Sequence, residues 1–263
     1  MKKILFFASL FFVVSCSSKN TVPVPNSSNV NVDIEAQILE AIKQQPEITA
    51  KVVEQIPFKK MDALLSLGSG TNTASAKYNY EIEYLSNGKI KTIKSDNKEI
   101  VSIGYTINQV SVNKGSTTDK YELSSDNFAK NTVDGLQKFY YKNGYLSRTN
   151  SSSNPFVKNY SKEGNLTYFE TNTEKSNYEY YDYPNNIRQE VLSPQAIHWS
   201  FRDDYLGRFS TNLLKKITFI SSAVTLDFTY QFDNNNRVSK MIIERKAGNS
   251  SPDNGIIEYT FTY

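Results

Sequence analysis

The chain has 263 residues, and its 30 Lys and Arg against 27 Asp and Glu leave a formal net charge of +3. A balance this near neutral implies neither a nucleic-acid partner nor strong attraction to anionic lipid. One His and one Cys exclude an intramolecular disulfide, and any Cys/His zinc site or Ser-His-Asp centre would have to be carried by His198.

The chain opens on Met1-Lys2-Lys3 and continues through 4–14, which is apolar except for Ser9. A charged start, a short apolar run and a small residue before Cys16 predict a secretory signal. The run falls short of the ~20 apolar residues of a membrane-spanning helix. Val13-Val14-Ser15-Cys16 resembles the lipobox of bacterial lipoprotein signals. That resemblance implies cleavage after Ser15 and a diacylglyceride on the Cys16 sulfur, with palmitate among the acyl chains. The partner so implied is a membrane. Ser17 in place of Asp points, by similarity to envelope sorting rules, to the outer membrane. The absence of acidic residues at 17–20 favours its periplasmic face, with surface exposure as the alternative.

Residues 17–32 are polar, contain Pro23 and Pro25 and show no period, which predicts a flexible tether. In 33–67 the residues Ile34, Ile38, Ala41 and Ile42 recur at helical spacing. Pro46 begins a second run, with Ile48, Val52, Val53 and Ile56, and Pro57 a third, with Met61, Leu64 and Leu65. With Asp33 as N-cap and proline suited to a first turn, this predicts two or three short helices capping the rest of the chain. Residues 68–77 predict a linker.

From Tyr78 to the last residue the pattern is β. Tyr78, Tyr80, Ile82 and Tyr84 alternate with Asn79, Glu81 and Glu83. Val224, Leu226, Phe228, Tyr230 and Phe232 alternate with polar residues, as do Ile257, Tyr259, Phe261 and Tyr263. Period-two alternation rich in aromatics marks strands with one buried and one wet face. A turn unit recurs between strands: an aromatic, Gly or Asn four residues on, and Ile, Leu or Val two residues later. Its instances are Tyr84-Gly88-Ile90, Tyr140-Gly144-Leu146, Tyr160-Gly164-Leu166, Tyr181-Asn185-Ile187 and Phe232-Asn236-Val238. Gly and Asn tolerate the positive φ that such hairpins need. The predicted class is mainly β: a long curved antiparallel meander, an open barrel-like sheet of Tyr-rich hairpins, with a small N-terminal helical segment. Its last four strands are expected at 215–220, 224–232, 237–245 and 256–263.

The run Leu206-Gly207-Arg208-Phe209-Ser210-Thr211-Asn212-Leu213-Leu214-Lys215-Lys216-Ile217, the run Phe228-Thr229-Tyr230-Gln231-Phe232-Asp233 and the closing Tyr259-Thr260-Phe261-Thr262-Tyr263 resemble a family of Bacteroidetes lipoproteins. That family is a domain of unknown function with a porin-like, highly curved β-sheet. The resemblance covers about 78–263 and implies the fold, with no activity or site residues to carry over. Residues 33–67 lie outside it, and Asn in place of Gly at 185 and 236 departs from the turn unit. Tyr140–Leu146 and Tyr160–Leu166 are also similar to hairpin repeats of the YD and MORN types.

No cofactor motif, nucleophile elbow or Gly-rich phosphate loop is present. The predicted function is that of an envelope lipoprotein that binds or scaffolds without catalysing. Its 18 Tyr, 15 Phe and 1 Trp suit contact with a glycan, a peptide or an envelope protein, and His198, Trp199 and Tyr205 are the candidate contacts. One alternative is a carboxylate-driven glycan-acting enzyme. It would use Glu81 and Glu83, ~7 Å apart on one strand face, or Asp203 and Asp204. The other alternative is a membrane-embedded β-barrel.

Overall fold

The computed structural model describes residues 33–68, 74–151, 155–187, 204–247 and 254–263, and the body they form runs from Ile34 to Tyr263. Among them is one α-helix, α1 (Ile34–Lys43). The first eight strands are β1 (Lys60–Leu67), β2 (Ala74–Tyr84), β3 (Ile90–Ser95), β4 (Lys98–Tyr105), β5 (Gln109–Lys114), β6 (Thr117–Leu123), β7 (Ala129–Thr132) and β8 (Gln137–Lys142). The second eight are β9 (Tyr145–Ser151), β10 (Phe156–Tyr160), β11 (Leu166–Thr171), β12 (Lys175–Pro184), β13 (Asn212–Phe219), β14 (Val224–Phe232), β15 (Val238–Lys246) and β16 (Gly255–Thr262). Each strand pairs with its neighbours in sequence, and β1 pairs with β16 from Lys60↔Thr262 to Leu67↔Gly255. The sheet is therefore a closed barrel where the sequence predicts an open one.

The closing strand is also where the helical expectation fails. Residues 60–67 are β1, not a third helix. Met61, Leu64 and Leu65 fit a helical stripe, but Met61, Ala63 and Leu65 fit a strand equally well, and those three are buried. Eight residues are too few to separate the two periods. The decision comes from β2 and β16, whose backbone groups along their free edges need another strand. The run after Pro46 forms no helix either, and 46–58 has no regular structure. β2 begins at Ala74, inside the stretch read as linker.

In an up-and-down ring the turns fall alternately at two ends. The turns that follow β2, β10 and β14 share one geometry. Leu85 N donates to Lys89 O at 2.8 Å and Gly88 N to Leu85 O at 2.9 Å, and the same pair of bonds recurs at 161–165 and 233–237. Gly88, Gly164 and Asn236 have φ of 78°, 79° and 57°, as the turn unit predicts. The geometry recurs after β6, where Asn127 has φ of 64°. There Leu123 and Ala129 replace the aromatic and the larger aliphatic, so the sequence pattern misses it. Gly144, at φ 84°, belongs instead to a two-residue turn with Asn143. Asn185 is a correction, because it is not left-handed and turns no hairpin. Its backbone N–H donates to Thr211 O and its side-chain amide to Ser210 O, tying the end of β12 to the segment 204–211.

At this end of the ring the register slips by one residue at the start of β3, β7, β9, β13 and β15. A β-bulge takes backbone groups out of the ladder. At all five, the carbonyl just before the slip accepts a tyrosine hydroxyl from the end of the next strand. Tyr105 donates to Ile90 O (3.2 Å), Tyr141 to Ala129 O (2.7 Å), Tyr160 to Leu146 O (3.3 Å), Tyr230 to Leu214 O (2.8 Å) and Tyr263 to Val238 O (3.0 Å). Each ring packs on or within the core while its hydroxyl satisfies the backbone.

The same end is strapped by two irregular segments. Along 46–58, Ile48 N donates to Asn143 Oδ1, Thr49 N to Lys162 O and Ile56 N to Asn186 O. Phe58 then enters the core edge-on to Phe261, with centroids 4.9 Å apart. Along 204–211, Arg208 N donates to Gly144 O and Thr211 N to Gly164 O. Gly164 has no room for a side chain, because a Cβ there would lie 2.8 Å from Ala50 and closer still to the Tyr145 hydroxyl. Helix α1 lies against β8 and β9, with Glu35 paired to Lys138 at 2.8 Å and Ile42 buried.

The tyrosine bonds carry the first prediction. Tyr141→Phe and Tyr263→Phe should each cost about 1–3 kcal/mol, the cost of an unsatisfied buried carbonyl. Tyr183→Phe, at a ring 55% exposed, should leave the urea midpoint unchanged. Equal midpoints in all three variants would refute the role assigned to the hydroxyls.

Candidate functional site

Of the residues singled out from the sequence, Cys16, His198, Trp199 and Asp203 lie outside the described residues. Tyr205 is described and is 5% exposed. Its ring lies 5.5 Å from that of Tyr121, among core residues and not on a solvent-facing wall.

The interior of the ring is filled. Met61, Ile93, Val110, Ala129, Ile217, Phe228, Met241 and Tyr259, from β1, β3, β5, β7 and β13 to β16, are at most 1% exposed and belong to one apolar cluster. A round barrel of sixteen to eighteen strands leaves an aqueous channel. Side chains this dry mean that packing, and not a channel, fills the space they line. Burial pushes the Tyr80 and Tyr263 hydroxyls up to about 12, and that of Tyr259 is pushed up as well. The interior of β9–β12 is more polar. Thr149, Lys158 and Ser176 are buried there, and the Lys158 ammonium stands 5.5 and 5.9 Å from the ring centres of Phe156 and Phe169.

The exterior has the opposite character. Lys60 pairs with Glu81 at 2.8 Å, Lys94 with Glu83 at 2.5 Å, Lys175 with Glu170 at 3.0 Å, Lys240 with Glu258 at 2.5 Å and Lys246 with Asp227 at 2.9 Å. All are cross-strand pairs on the outward face. The hydrogen bond from Lys60 holds the Glu81 carboxyl below its ordinary range, and that from Lys94 does so for Glu83. A glycosidase acid needs a carboxyl shifted the other way.

Among the described residues a concavity lies in the wall beside β6. It is a cleft of about 380 Å³ lined by Thr118, Asp119, Lys120, Tyr121, Thr132, Val133, Asp134 and Gln137. It exists because β7 is only four residues long, whereas β6 continues past it to Thr117. β7 meets β8 at a single rung, Asn131↔Lys138. Within the cleft Asp119 is paired with Lys114 at 2.5 Å. Asp134 accepts from Thr132 Oγ1 at 2.6 Å and Leu136 N at 3.0 Å, bonds that hold its carboxyl below the ordinary value. No sequence signal marked these residues, since nothing in the local pattern says where a strand will stop short.

With the geometry in place, the comparisons bear on the fold alone. No family model matches the chain, and no curated protein does. Among solved structures, a crystal structure of a porin-like protein from Bacteroides uniformis is similar. It is 16% identical, covers 79% of this chain and 98% of that one, and superposes with a TM-score of 0.57. The two share a porin-like β fold.

The packed interior can be read by titration. The buried tyrosines hold their protons above the ordinary 10.0. The stability they lend is therefore whole below pH 10 and is lost as the pH rises through about 12. Tyrosinate absorbance from these rings should appear together with loss of the near-ultraviolet dichroism, in one step inside that window. Smooth ionisation centred on pH 10 in an intact fold would mean that water reaches the interior.

Proposed function

We propose that this chain is a membrane-anchored envelope lipoprotein whose barrel stands in water beside the bilayer and binds or scaffolds without catalysing. One observation carries the reading: the polarity of the wall. A membrane-spanning barrel presents an apolar band outward and a polar lumen inward. Here apolar rings and aliphatics face inward, and the outward face bears ion pairs from β1 around to β16. Ion pairs facing hydrocarbon would cost about 2–4 kcal/mol per cation near the midplane.

The anchor is the lipid on Cys16, and the outer membrane its address, on the periplasmic face. Partners are a glycan, a peptide or another envelope protein. The closed ring and the porin-like description of the similar structure favour a second reading, a barrel embedded in the bilayer. Fold likeness does not transmit function, and the packed core leaves no conduit.

Two measurements test the proposal. Residues 33–263, expressed without the leader, should be monodisperse without detergent and silent in planar bilayers. Full-length protein should incorporate radiolabelled palmitate, and Cys16→Ser should not. A requirement for detergent together with conductance would establish the embedded reading. Equal labelling of the Cys16→Ser protein would remove the anchor.

A further inference from the structure

The cleft beside β6 contains an unused stretch of sheet edge. In an antiparallel ladder, residues two apart turn their N–H and C=O to the same side. Val133 N donates to Lys120 O at 2.9 Å, so Lys120 faces β7, and Thr118 faces the same way. The hairpin closing at Lys114↔Thr117 agrees, since it sends Thr117 and Asp119 toward β5. β7 ends at Thr132, so no strand stands opposite Thr118. The β6–β7 ladder, Tyr121↔Thr132 to Leu123↔Ala129, stops short of it. Beside the cleft, β6 thus keeps one backbone donor–acceptor pair, that of Thr118, turned away from β5 with no rung of β7 opposite it.

The surrounding side chains narrow the occupant. Asp119 is neutralised by Lys114, and Asp134 Oδ1 accepts two bonds within its own turn. The Thr118 hydroxyl donates to Asn113 Oδ1 at 2.8 Å. The Lys120 ammonium forms no ion pair among the described residues, and the cleft-lining Gln137 carries a further amide. From Thr117 to Lys120 the edge spans ~10 Å at ~3.3 Å per residue. β8 begins at Gln137, level with the end of β7, so the edge of β6 before Tyr121 is flanked only by the turn at 133–136.

We propose that this cleft takes a short extended peptide segment, antiparallel to β6, which continues the line of β7. Its backbone pairs with the N–H and C=O of Thr118, and an acidic side chain on its outward face meets Lys120. Main-chain bonds supply the affinity and the charge sets the register, as in strand addition generally. The proposal rests on the reading of the barrel as a water-facing binding protein, because a cleft in a lipid-facing wall would not admit a peptide.

The test uses the purified full chain and an acetylated pentapeptide amide of alternating Thr and Val with one Glu. A second peptide carries an N-methyl group on its central residue. Amide hydrogen exchange should show at least tenfold slowing at Thr118 with the first peptide and none with the second. Thr118→Pro removes the N–H that faces the cleft and leaves the bonds to β5 intact. It should keep the wild-type melting temperature and weaken binding at least tenfold. Thr118→Val keeps the N–H and should bind as wild type. The proposal is overturned if Thr118 is unprotected at saturating peptide, if the N-methyl peptide binds equally, or if Thr118→Pro binds unchanged. Should Thr118→Pro lower the melting temperature, the N-methyl comparison on the wild-type chain decides. A chain that needs detergent to stay monodisperse would instead defeat the water-facing reading, an outcome distinct from a soluble chain that ignores the peptide.

Discussion

The hydrogen bond from a tyrosine hydroxyl to the carbonyl before a bulge is the interaction on which the architecture turns. The hairpins at the strapped end close on left-handed residues such as Gly88 and Gly164 and leave the register one residue out of step. Each slip sharpens the local twist, which helps sixteen strands curl into a ring. Each also removes a carbonyl from the ladder beside a packed core, where an unpaired acceptor costs about 1–3 kcal/mol. Tyrosine answers both demands, because its ring fills the core and its hydroxyl reaches the backbone. Phe would serve only the first. At the β11 slip the arrangement varies: the Tyr180 hydroxyl lies 3.0 Å from Ser210 Oγ, which itself accepts from Leu166 N.

Closure and packing together explain the polarity of the wall. A closed sheet has no edge strand, and where β7 stops a short stretch of β6 is left without a rung beside it. The interior is then free to be apolar, provided side chains fill it. The outward face is left to the solvent, and its cross-strand Lys–Glu pairs are mostly well exposed, so they add little stability individually. Their weight is in the proposal that the barrel stands in water, since charge on an outward wall is costly in hydrocarbon. A ring of porin-like fold can thus be built with its polarity inverted, which is why likeness of fold and likeness of role must be argued separately.

Strand content was readable because alternation is a local property. β14 has the limits its sequence suggested, 224–232, and its inward residues Val224 and Phe228 are buried. The left-handed turn residues were readable for the same reason, since a positive φ restricts residue type at a single position. The unit failed where its letters served another purpose, as at Asn185, and was invisible where other residues performed its task, as at Leu123, Asn127 and Ala129. Tyr205 was noticed for its chemistry, but burial against Tyr121 was decided by chain segments far away in sequence. Nothing local marks Lys158, since a lysine in a strand is ordinarily on the wet face; here it sits against two phenylalanines.

By itself, then, the sequence determined the mainly β class, the alternation of faces and the places where the chain must turn, each set by residues within a few positions of one another. Only the tertiary structure decided that the sheet closes, that residues 60–67 form the closing strand, that the interior is dry and that β7 leaves a breach beside Thr118. These depend on pairing between β1 and β16, at opposite ends of the described chain, and on the packing of the interior. Such contacts are rewarded only once the loops between them have been closed, and no local window of sequence records that balance.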